Sequence, residues 1–429
     1  MKKILNESGH ERNRNAGDEA YFATMVEMFR EHFGEVHITS FSDRLERDRK
    51  RYDVQTVYSG GTIFKTIGSL WNILSTIMNC DVYVWGSGQI LRDDTGIKSP
   101  LYRLSRPLIA KILGKPVMAY AVGIGPLETR IARLLAKLVL NTFDLITVRE
   151  PFSRELLKSI GVSKPDIHLT VDPAFALKPA SSRQVTPALR EIGIEDDNSS
   201  LIGIAPFGPA FRGVRSLLPA KYQVKLDMWP PNGREKYSKH VQIMAQACDY
   251  IVEKYKAKLI FFAQDASWQG LDDRIARDII SHMNHQISAR CLNNDDYSPS
   301  VIKGMMGRME FVMGGRMHSL ILASGIGIPV LGLCFEQKIK KFGETIVQSE
   351  YFVDAEKVHK TKDLTKIIDQ LWSHRNRIRH DLGIRMQDLR HEVFRNVARL
   401  AVLLRLPLLT KQHILEPCQR SQIFEEKAL

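Results

Sequence analysis

A histidine and an arginine follow a pair of glycines in the segment "GGRMHSLILASGIGIPVL" (314–331). Gly314 and Gly315 allow a sharp turn, and Arg316 and His318 fall in the first turn of the helix that this segment predicts. A cation at a helix N-terminus opposes the helix dipole, and an anionic ligand would offset that repulsion. The segment therefore predicts an anion site. The alternative is a core histidine whose ring is satisfied by a backbone carbonyl.

Two further cations stand at the ends of predicted strands. Arg149 ends the strand in "ITVREPFSRELL", and its planar fork can bind a carboxylate or phosphate, with an ion pair to Glu150 or Glu155 as the alternative. Lys338, in "FEQKIKKFGE", is the lysine nearest its strand end; a solvated helix face is the alternative there. Asp172, in "TVDPAF", is interpreted as part of a structural turn.

Acidic residues open a predicted helix in "NAGDEA" (15–20), directly after the first strand. Gly17 permits a tight turn and Asp18 is predicted to cap the helix. Asp18 and Glu19 are also candidates to hydrogen-bond a hydroxyl-bearing acceptor or to act as acid or base. A plain helix cap explains the segment equally well.

A glycine-rich turn follows a hydrophobic strand in "WGSGQILRDD" (85–94). Gly86 and Gly88 imply close backbone approach, either to a ligand or to a neighbouring strand. The segment lacks the full GxGxxG spacing, and no GxxxxGK[ST] phosphate loop occurs in the chain. Taken alone, this turn is therefore weak evidence of a nucleotide site.

These residues are positioned by a regular alternation of short apolar strands and longer helices along most of the chain. The alternation is typical of parallel α/β sheets, which place their sites at the carboxyl ends of the strands. We predict two Rossmann-like domains facing across a cleft, over 1–180 and 201–361. A linker at 181–200 and a basic helical tail at 362–429 complete the expected organisation.

Composition narrows the class of protein. The 429 residues carry a formal net charge of +13, and 44% of them are hydrophobic. The basic balance favours anionic ligands or a membrane surface over nucleic acid, because no nucleic-acid-binding motif is present. No signal-peptide or membrane-spanning pattern is found, so the cytoplasm is the expected compartment. The five scattered cysteines form no CxxC pair, and no metal site is expected.

The tail segment "FRNVARLAVLLRLPLL" (394–409) is apolar with interspersed arginines. We favour a helix that packs back on the domains. The alternative is an interfacial helix on an anionic membrane, which would place the protein at the inner face of the membrane.

Taken in order along the chain, these motifs resemble the polysaccharide pyruvyl transferase family. The resemblance rests on "NAGDEA", "WGSGQILRDD", "AVGIGPL", "TVREPFSRELLKSIGV", "VDPAF", "GGRMHSLILASGIGIPVL" and "FEQKIKKFGE". It implies a fold like that of GT-B glycosyltransferases and phosphoenolpyruvate as co-substrate, with no cofactor. It also implies a saccharide acceptor, often lipid-linked or destined for an exopolysaccharide, that receives a pyruvate ketal while phosphate is released. The donor-binding residues of the family fall on Arg149, His318 and Lys338.

The implied chemistry suits the residue types. Phosphoenolpyruvate carries a carboxylate and a phosphate, which Arg149, Arg316 and Lys338 could neutralise. His318 is the leading candidate for an acid or a phosphate-binding role. The main alternative is a GT-B glycosyltransferase with a nucleotide-sugar donor, and a third is a sugar-binding or scaffold protein at a basic membrane surface.

Overall fold

A computed structural model describes residues 1–8, 15–58, 67–86, 88–93, 98–195, 199–207, 228–264, 271–293 and 295–408. By the density of its contacts the chain divides into two compact units. Unit one comprises residues 1–13, 21–176 and 388–429, and unit two comprises residues 14–20 and 177–387.

Unit one is built around a parallel sheet with helices between successive strands. Its strands are β1 (Lys2–Glu7), β2 (Val36–Ser42), β3 (Gln55–Tyr58), β4 (Val82–Trp85), β5 (Gln89–Leu91), β6 (Val117–Ile124), β7 (Leu145–Val148) and β8 (Asp166–Leu169). The helices are α1 (Ala16–Phe33), whose first residues belong to unit two, α2 (Leu45–Tyr52), α3 (Ile67–Met78), α4 (Lys98–Ile112), α5 (Arg130–Leu140) and α6 (Pro151–Ser159).

The strand order in this sheet is β3-β2-β1-β4-β6-β7-β8, with β5 paired to β6. The order reverses between β1 and β4, and ligands of such sheets bind at the carboxyl ends of the strands beside that point. Gly86 directly follows β4, and Arg149 directly follows β7. The predicted glycine and arginine positions therefore lie at the carboxyl edge of the sheet.

Unit two holds a second parallel sheet. Its strands are β9 (Leu201–Ala205), β10 (Lys258–Ala263), β11 (Ala289–Asn293), β12 (Val312–Gly314), β13 (Val330–Cys334) and β14 (Phe352–Asp354). The helices are α7 (Ser182–Glu191), α8 (Gly233–Tyr255), α9 (Leu271–Ser281), α10 (Pro299–Met306), α11 (Met317–Ser324) and α12 (Gln337–Thr345). A last helix, α13 (Thr361–Leu404), begins in this unit and ends in residues of unit one.

The second sheet has the order β11-β10-β9-β12-β13-β14, which is the doubly wound Rossmann order. The reversal here falls between β9 and β12, and Gly314 is the last residue of β12. The predicted α/β fold class is confirmed in both units. Three short strands were not predicted from the sequence. They are β3, β5 and β14, and each has only three or four residues.

The segment expected to be a linker is partly helical. Residues 182–191 form α7, whose Val185, Ala188 and Leu189 are buried. The Ser, Pro and acidic residues of the segment suggested irregular structure, but these three apolar side chains share one helix face and bury it.

The tail helix α13 packs as the favoured interpretation proposed. Its apolar side chains recur at helical spacing and are buried, among them Leu371, Leu382, Val393 and Leu400. Within unit one, Phe394 stacks edge-on against the ring of His32 at 4.6 Å. In the part of the chain that the structure describes, no helix is long and apolar enough to cross a membrane.

Candidate functional site

The turn after β12 needs both of its glycines because other backbone and side-chain atoms approach it closely. A β-carbon at Gly314 would lie 2.0 Å from the carbonyl oxygen of Ala205. At Gly315 it would lie 2.8 Å from the ring of Phe335 and 3.0 Å from Phe207. The Gly315 N–H donates to the same Ala205 oxygen at 3.2 Å. The glycine pair therefore fixes the start of α11 against the end of β9.

Arg316 is held by the carboxylate of Asp272, which was not predicted from the sequence. Its Nε lies 2.7 Å and 2.9 Å from the two carboxylate oxygens of Asp272, and Nη2 also donates to Asp272. Asp272 is fully buried, and the guanidinium also stacks over the Phe207 ring at 4.7 Å. The anion that we expected from a ligand is thus already supplied in part by Asp272, which orients Arg316 at the mouth of the turn.

The N-terminus of α11 lacks a side-chain cap. Arg316 occupies the N-cap position in an extended conformation, and its side chain accepts no hydrogen bond from the helix. The first N–H groups of a helix have no partner within it, so this end can receive an anion. His318 is half-buried in this first turn. The next side chain, Ser319, is fully buried, and its Oγ has no hydrogen-bond partner among the described residues.

The "NAGDEA" segment packs directly on His318. A β-carbon at Gly17 would lie 2.0 Å from His318 Nδ1 and 2.2 Å from Cγ, so only glycine leaves room for the imidazole. The Ala16 N–H donates at 2.9 Å to the carbonyl oxygen of Gln264, which follows β10. Two predicted motifs that are far apart in the sequence therefore meet within unit two.

Two details of this segment differ from the prediction. Gly17 lies inside α1 rather than in a tight turn. Its missing side chain leaves room for the histidine ring. The capping side chain is Asn15, whose Oδ1 accepts from the Gly17 N–H at 2.8 Å, and not Asp18. Asp18 is the third residue of the helix, too late to act as its cap. It is partly exposed, whereas Glu19 is buried.

Lys338 lies in the first turn of α12, just after β13. Its Nζ is 2.7 Å from a carboxylate oxygen of Glu336, and both side chains are partly exposed. The lysines that follow, Lys340 and Lys341, are exposed on the helix surface, as the solvated-face interpretation proposed for them.

A pocket of about 740 Å³ opens in unit two beside the glycine turn. Three of its lining rings, those of Phe207, His240 and Phe335, pack together, and Phe335 meets the other two edge-on at 5.2 Å and 5.4 Å. The remaining wall combines apolar and charged side chains: Pro230, Pro231, Ile243, Met244, Leu333, Leu364, Glu235, Glu336, Glu356, Lys236, Lys239 and His359. This volume and this mixture are typical of sites for small organic ligands.

His240 is the unusual group of the pocket. Its Nε2 is buried and has no hydrogen-bond partner among the described residues. Burial lowers the pKa of His240 to about 4, and a hydrogen bond with the backbone of Phe207 opposes that shift. The ring is therefore neutral at physiological pH and can offer Nε2 to a ligand.

In unit one, Arg149 is buried and paired on two sides. Its Nη1 donates to Asp172, and its Nε lies 3.2 Å from Glu150 Oε1. The predicted alternative of an ion pair with Glu150 is thus present. Asp172 also accepts from the Ala174 N–H at 2.9 Å, which confirms the structural turn predicted there.

The two glycines of "WGSG" also lie at close contacts within unit one. A β-carbon at Gly86 would lie 2.4 Å from Tyr21 Oη and 2.6 Å from the Tyr120 carbonyl oxygen. The Gly88 carbonyl accepts from the Gly123 N–H at 2.7 Å, and a β-carbon at Gly123 would lie 3.3 Å from Arg149 Nε. Backbone packing thus brings this turn next to Arg149.

Within the described ranges, no cluster of three or more histidine, cysteine, aspartate or glutamate side chains is arranged to hold a metal ion. The candidate site residues are instead cations, imidazoles and rings around strand ends.

A model of one protein family, described as polysaccharide pyruvyl transferase, matches residues 15–333. This chain belongs to the polysaccharide pyruvyl transferase family. The family is one of enzymes. The matched residues include Gly17, Arg149, Arg316 and His318, whereas Lys338 lies just beyond them. The resemblance drawn from the ordered motifs is confirmed.

Solved structures with a similar fold include proteins bound to UDP or to a UDP-sugar. UDP-GlcNAc 2-epimerase from Neisseria meningitidis, bound to UDP-GlcNAc, is 12% identical with a TM-score of 0.58, and the likeness covers 94% of this chain and 99% of that one. Anabaena Alr3699/HepE in complex with UDP and glucose is 11% identical with a TM-score of 0.57, covering 94% and 100%. At such identities the likeness shows the GT-B-like fold alone. No curated protein matches the chain.

Proposed function

We propose that this pyruvyl transferase uses phosphoenolpyruvate as donor and forms a pyruvate ketal on two hydroxyl groups of one sugar. The observation that carries the proposal is the uncapped N-terminus of α11, where His318 stands in the first turn against Gly17. Helix N–H groups and an imidazole at a strand end suit a small anionic donor whose phosphate is the leaving group.

The reaction balances without a cofactor. One sugar hydroxyl adds to C2 of phosphoenolpyruvate as a proton adds to the methylene carbon C3, which becomes a methyl group. The bond from C2 to the phosphate oxygen then breaks and phosphate leaves with the electron pair. The second hydroxyl attacks C2 and closes the ketal. Of the two hydroxyl protons, one ends on the methyl carbon and the other on the released phosphate.

His318 is proposed to carry the proton or to bind the leaving phosphate, because it lies in the first turn of α11, directly after the end of β12. Lys338, which is paired with Glu336, would supply a point charge for the donor, and Arg149 would add a planar fork for its carboxylate. Asp272 holds Arg316 in place, so Arg316 would contribute a fixed rather than a mobile cation. Asp18 and Glu19 are weaker candidates for the acceptor hydroxyls.

The ring-lined pocket is proposed to take the saccharide acceptor. Sugar rings present C–H faces to aromatic side chains and hydroxyl donors to carboxylates. Phe207, Phe335 and Glu336 offer both kinds of contact, and Gly315 lies directly against the two phenylalanine rings. A lipid-linked acceptor would place its sugar in this pocket. We also propose that the enzyme acts on such an acceptor at the inner face of the membrane.

The alternative function is glycosyl transfer from a nucleotide sugar. It is favoured by the solved structures of similar fold, one of them bound to UDP-GlcNAc and another to UDP and glucose. A uridine base would then occupy the ring-lined pocket.

Donor binding separates the two functions before any acceptor is known. Isothermal titration calorimetry with phosphoenolpyruvate should give saturable binding, and UDP-GlcNAc should give none. His318→Ala should weaken phosphoenolpyruvate binding by about tenfold or more, the scale of one charge-assisted contact. Gly383→Ala, at an exposed helix position with open space around it, is the matched control in the same unit and should bind normally. Binding of UDP-GlcNAc alone would overturn the proposal.

A further inference from the structure

Helix α5 is apolar on both of its sides. Ala132, Ala136 and Leu140 are buried against the sheet of unit one. On the outward side, Ile131, Leu134 and Leu138 are exposed at 58%, 55% and 59%. The outward side of a surface helix is normally polar. An exposed apolar stripe on that side therefore indicates a surface that binds an apolar partner.

The neighbouring helices extend this apolar surface. Buried residues of α3, α4 and α5 belong to one core cluster with the same strands, which places the three helices in one layer: Ile73, Ile77, Leu104, Ala110, Ala132 and Ala136. Their outward sides carry further exposed apolar side chains, namely Trp71, Met78, Leu101, Ile112 and Leu113. The outer side of this layer, with the stripe on α5, is named the apolar face.

Positive charge accompanies the apolar face. Between residues 98 and 143 the chain has eight lysines and arginines and a single acidic residue, Glu128. One of these cations, Arg106, is buried and paired with Glu7, so it does not add to the surface charge. Arg130, Arg133 and Lys137 are exposed on α5 beside the leucines. The carboxylate that follows the helix, Asp144, is paired with Lys111 at 2.7 Å. The net field of this surface therefore attracts anions.

We propose that the apolar face docks on a membrane surface that contains anionic lipids. Exposed leucines and isoleucines on a helix with basic flanks are the features of an interfacial helix, and an exposed tryptophan suits the headgroup region. A second copy of the chain fits less well, because the excess of basic residues would then oppose itself. The proposal does not depend on the identity of the donor.

Vesicle sedimentation with the full chain tests the docking directly. The protein should sediment with vesicles of phosphatidylcholine and phosphatidylglycerol at low salt, and much less with phosphatidylcholine alone. High salt should reduce the bound fraction, because the attraction to anionic lipid is screened. Equal binding to both vesicle types, or no binding to either, would overturn the proposal.

Substitutions on the face locate the contact. Leu134→Glu combined with Leu138→Glu should abolish binding, and each neutralisation among Arg130→Gln, Arg133→Gln and Lys137→Gln should lower the partition coefficient by about fivefold. These side chains are exposed, so the variants should keep the wild-type circular dichroism spectrum and melting temperature.

The matched control also tests the tail helix. Val402 is 78% exposed on α13, and Val402→Glu introduces the same charge at an exposed apolar position of another helix in unit one. It should bind vesicles like the wild type. If Val402→Glu abolishes binding and the α5 variants retain it, the contact lies on the tail and the proposal is wrong. A dimer in solution that Leu134→Glu dissociates, without vesicle binding, would also overturn it by assigning the face to a second copy.

Discussion

Gly17 and the imidazole of His318 lie in direct contact, although about 300 residues of chain separate them. Because a β-carbon at position 17 would lie 2.0 Å from Nδ1, any other residue must displace the ring. The glycine thus sets the position of the group that we propose for proton or phosphate handling.

Gly17→Ala should therefore impair activity more than stability. A displacement of His318 by about 1 Å is enough to lower kcat/KM on the order of a hundredfold. Steady-state kinetics with phosphoenolpyruvate and a urea unfolding curve measure the two effects on the same protein. Gly383→Ala, with no atom within 4 Å of its added methyl, should keep full activity and gain up to about 1 kcal/mol of stability. Equal activity in the two variants would contradict the assigned contact.

The pair of Arg316 and Asp272 should behave as a buried ion pair. Asp272→Leu leaves the guanidinium without its carboxylate and should cost about 3–5 kcal/mol in the free energy of unfolding. The double variant Asp272→Leu, Arg316→Met should recover much of that loss, because it removes the uncompensated charge. Urea denaturation of the wild type, both single variants and the double variant completes the cycle. Additive losses would argue against the pairing.

Acid should destabilise unit two through His240. The folded-state pKa of this imidazole is about 4, below the value near 6.5 of an exposed histidine, so the unfolded chain binds the proton more tightly. The free energy of unfolding should therefore fall as the pH drops from about 6.5 towards 4, by about 2 kcal/mol between pH 7.5 and 5. His240→Gln should lack this component in urea curves at the two pH values. An unchanged pH slope in the variant would disprove the buried neutral state.

Arg149 and His318 are each proposed to serve phosphoenolpyruvate. Each alanine variant should lower kcat/KM by about a hundredfold, and the double variant should lose less than the product of the two effects. Arg149→Lys keeps the charge and spares the buried Asp172 from an unpaired state, yet loses the planar fork. It should therefore fold normally and still raise the KM for phosphoenolpyruvate. Strictly multiplicative losses would indicate that the two residues act independently.

Much of this architecture could be predicted from the sequence. Alternating apolar runs gave the parallel α/β class, and glycines or charges after those runs marked strand ends in both sheets. The contact between "NAGDEA" and His318 was not predictable, because it joins residues distant in the chain through packing alone. The same holds for Asp272, since an acidic residue in the first turn of α9 looks like an ordinary favourable dipole contact.

The ring-lined pocket could not be predicted from the sequence for a related reason. His240 lies in the middle of a helical pattern whose local signal is only amphipathic, and nothing in that pattern shows that Nε2 is left without a partner. The short strands β3 and β14 were missed because three or four residues carry too little periodicity.

The most direct test of the proposed reaction is mass spectrometry of saccharide products after incubation with phosphoenolpyruvate and a lipid-linked or free oligosaccharide fraction. Release of phosphate should accompany a product that carries a pyruvate ketal, and His318→Ala should form neither while Gly383→Ala forms both. Transfer of a sugar from a UDP-sugar, with no product from phosphoenolpyruvate, would contradict the account.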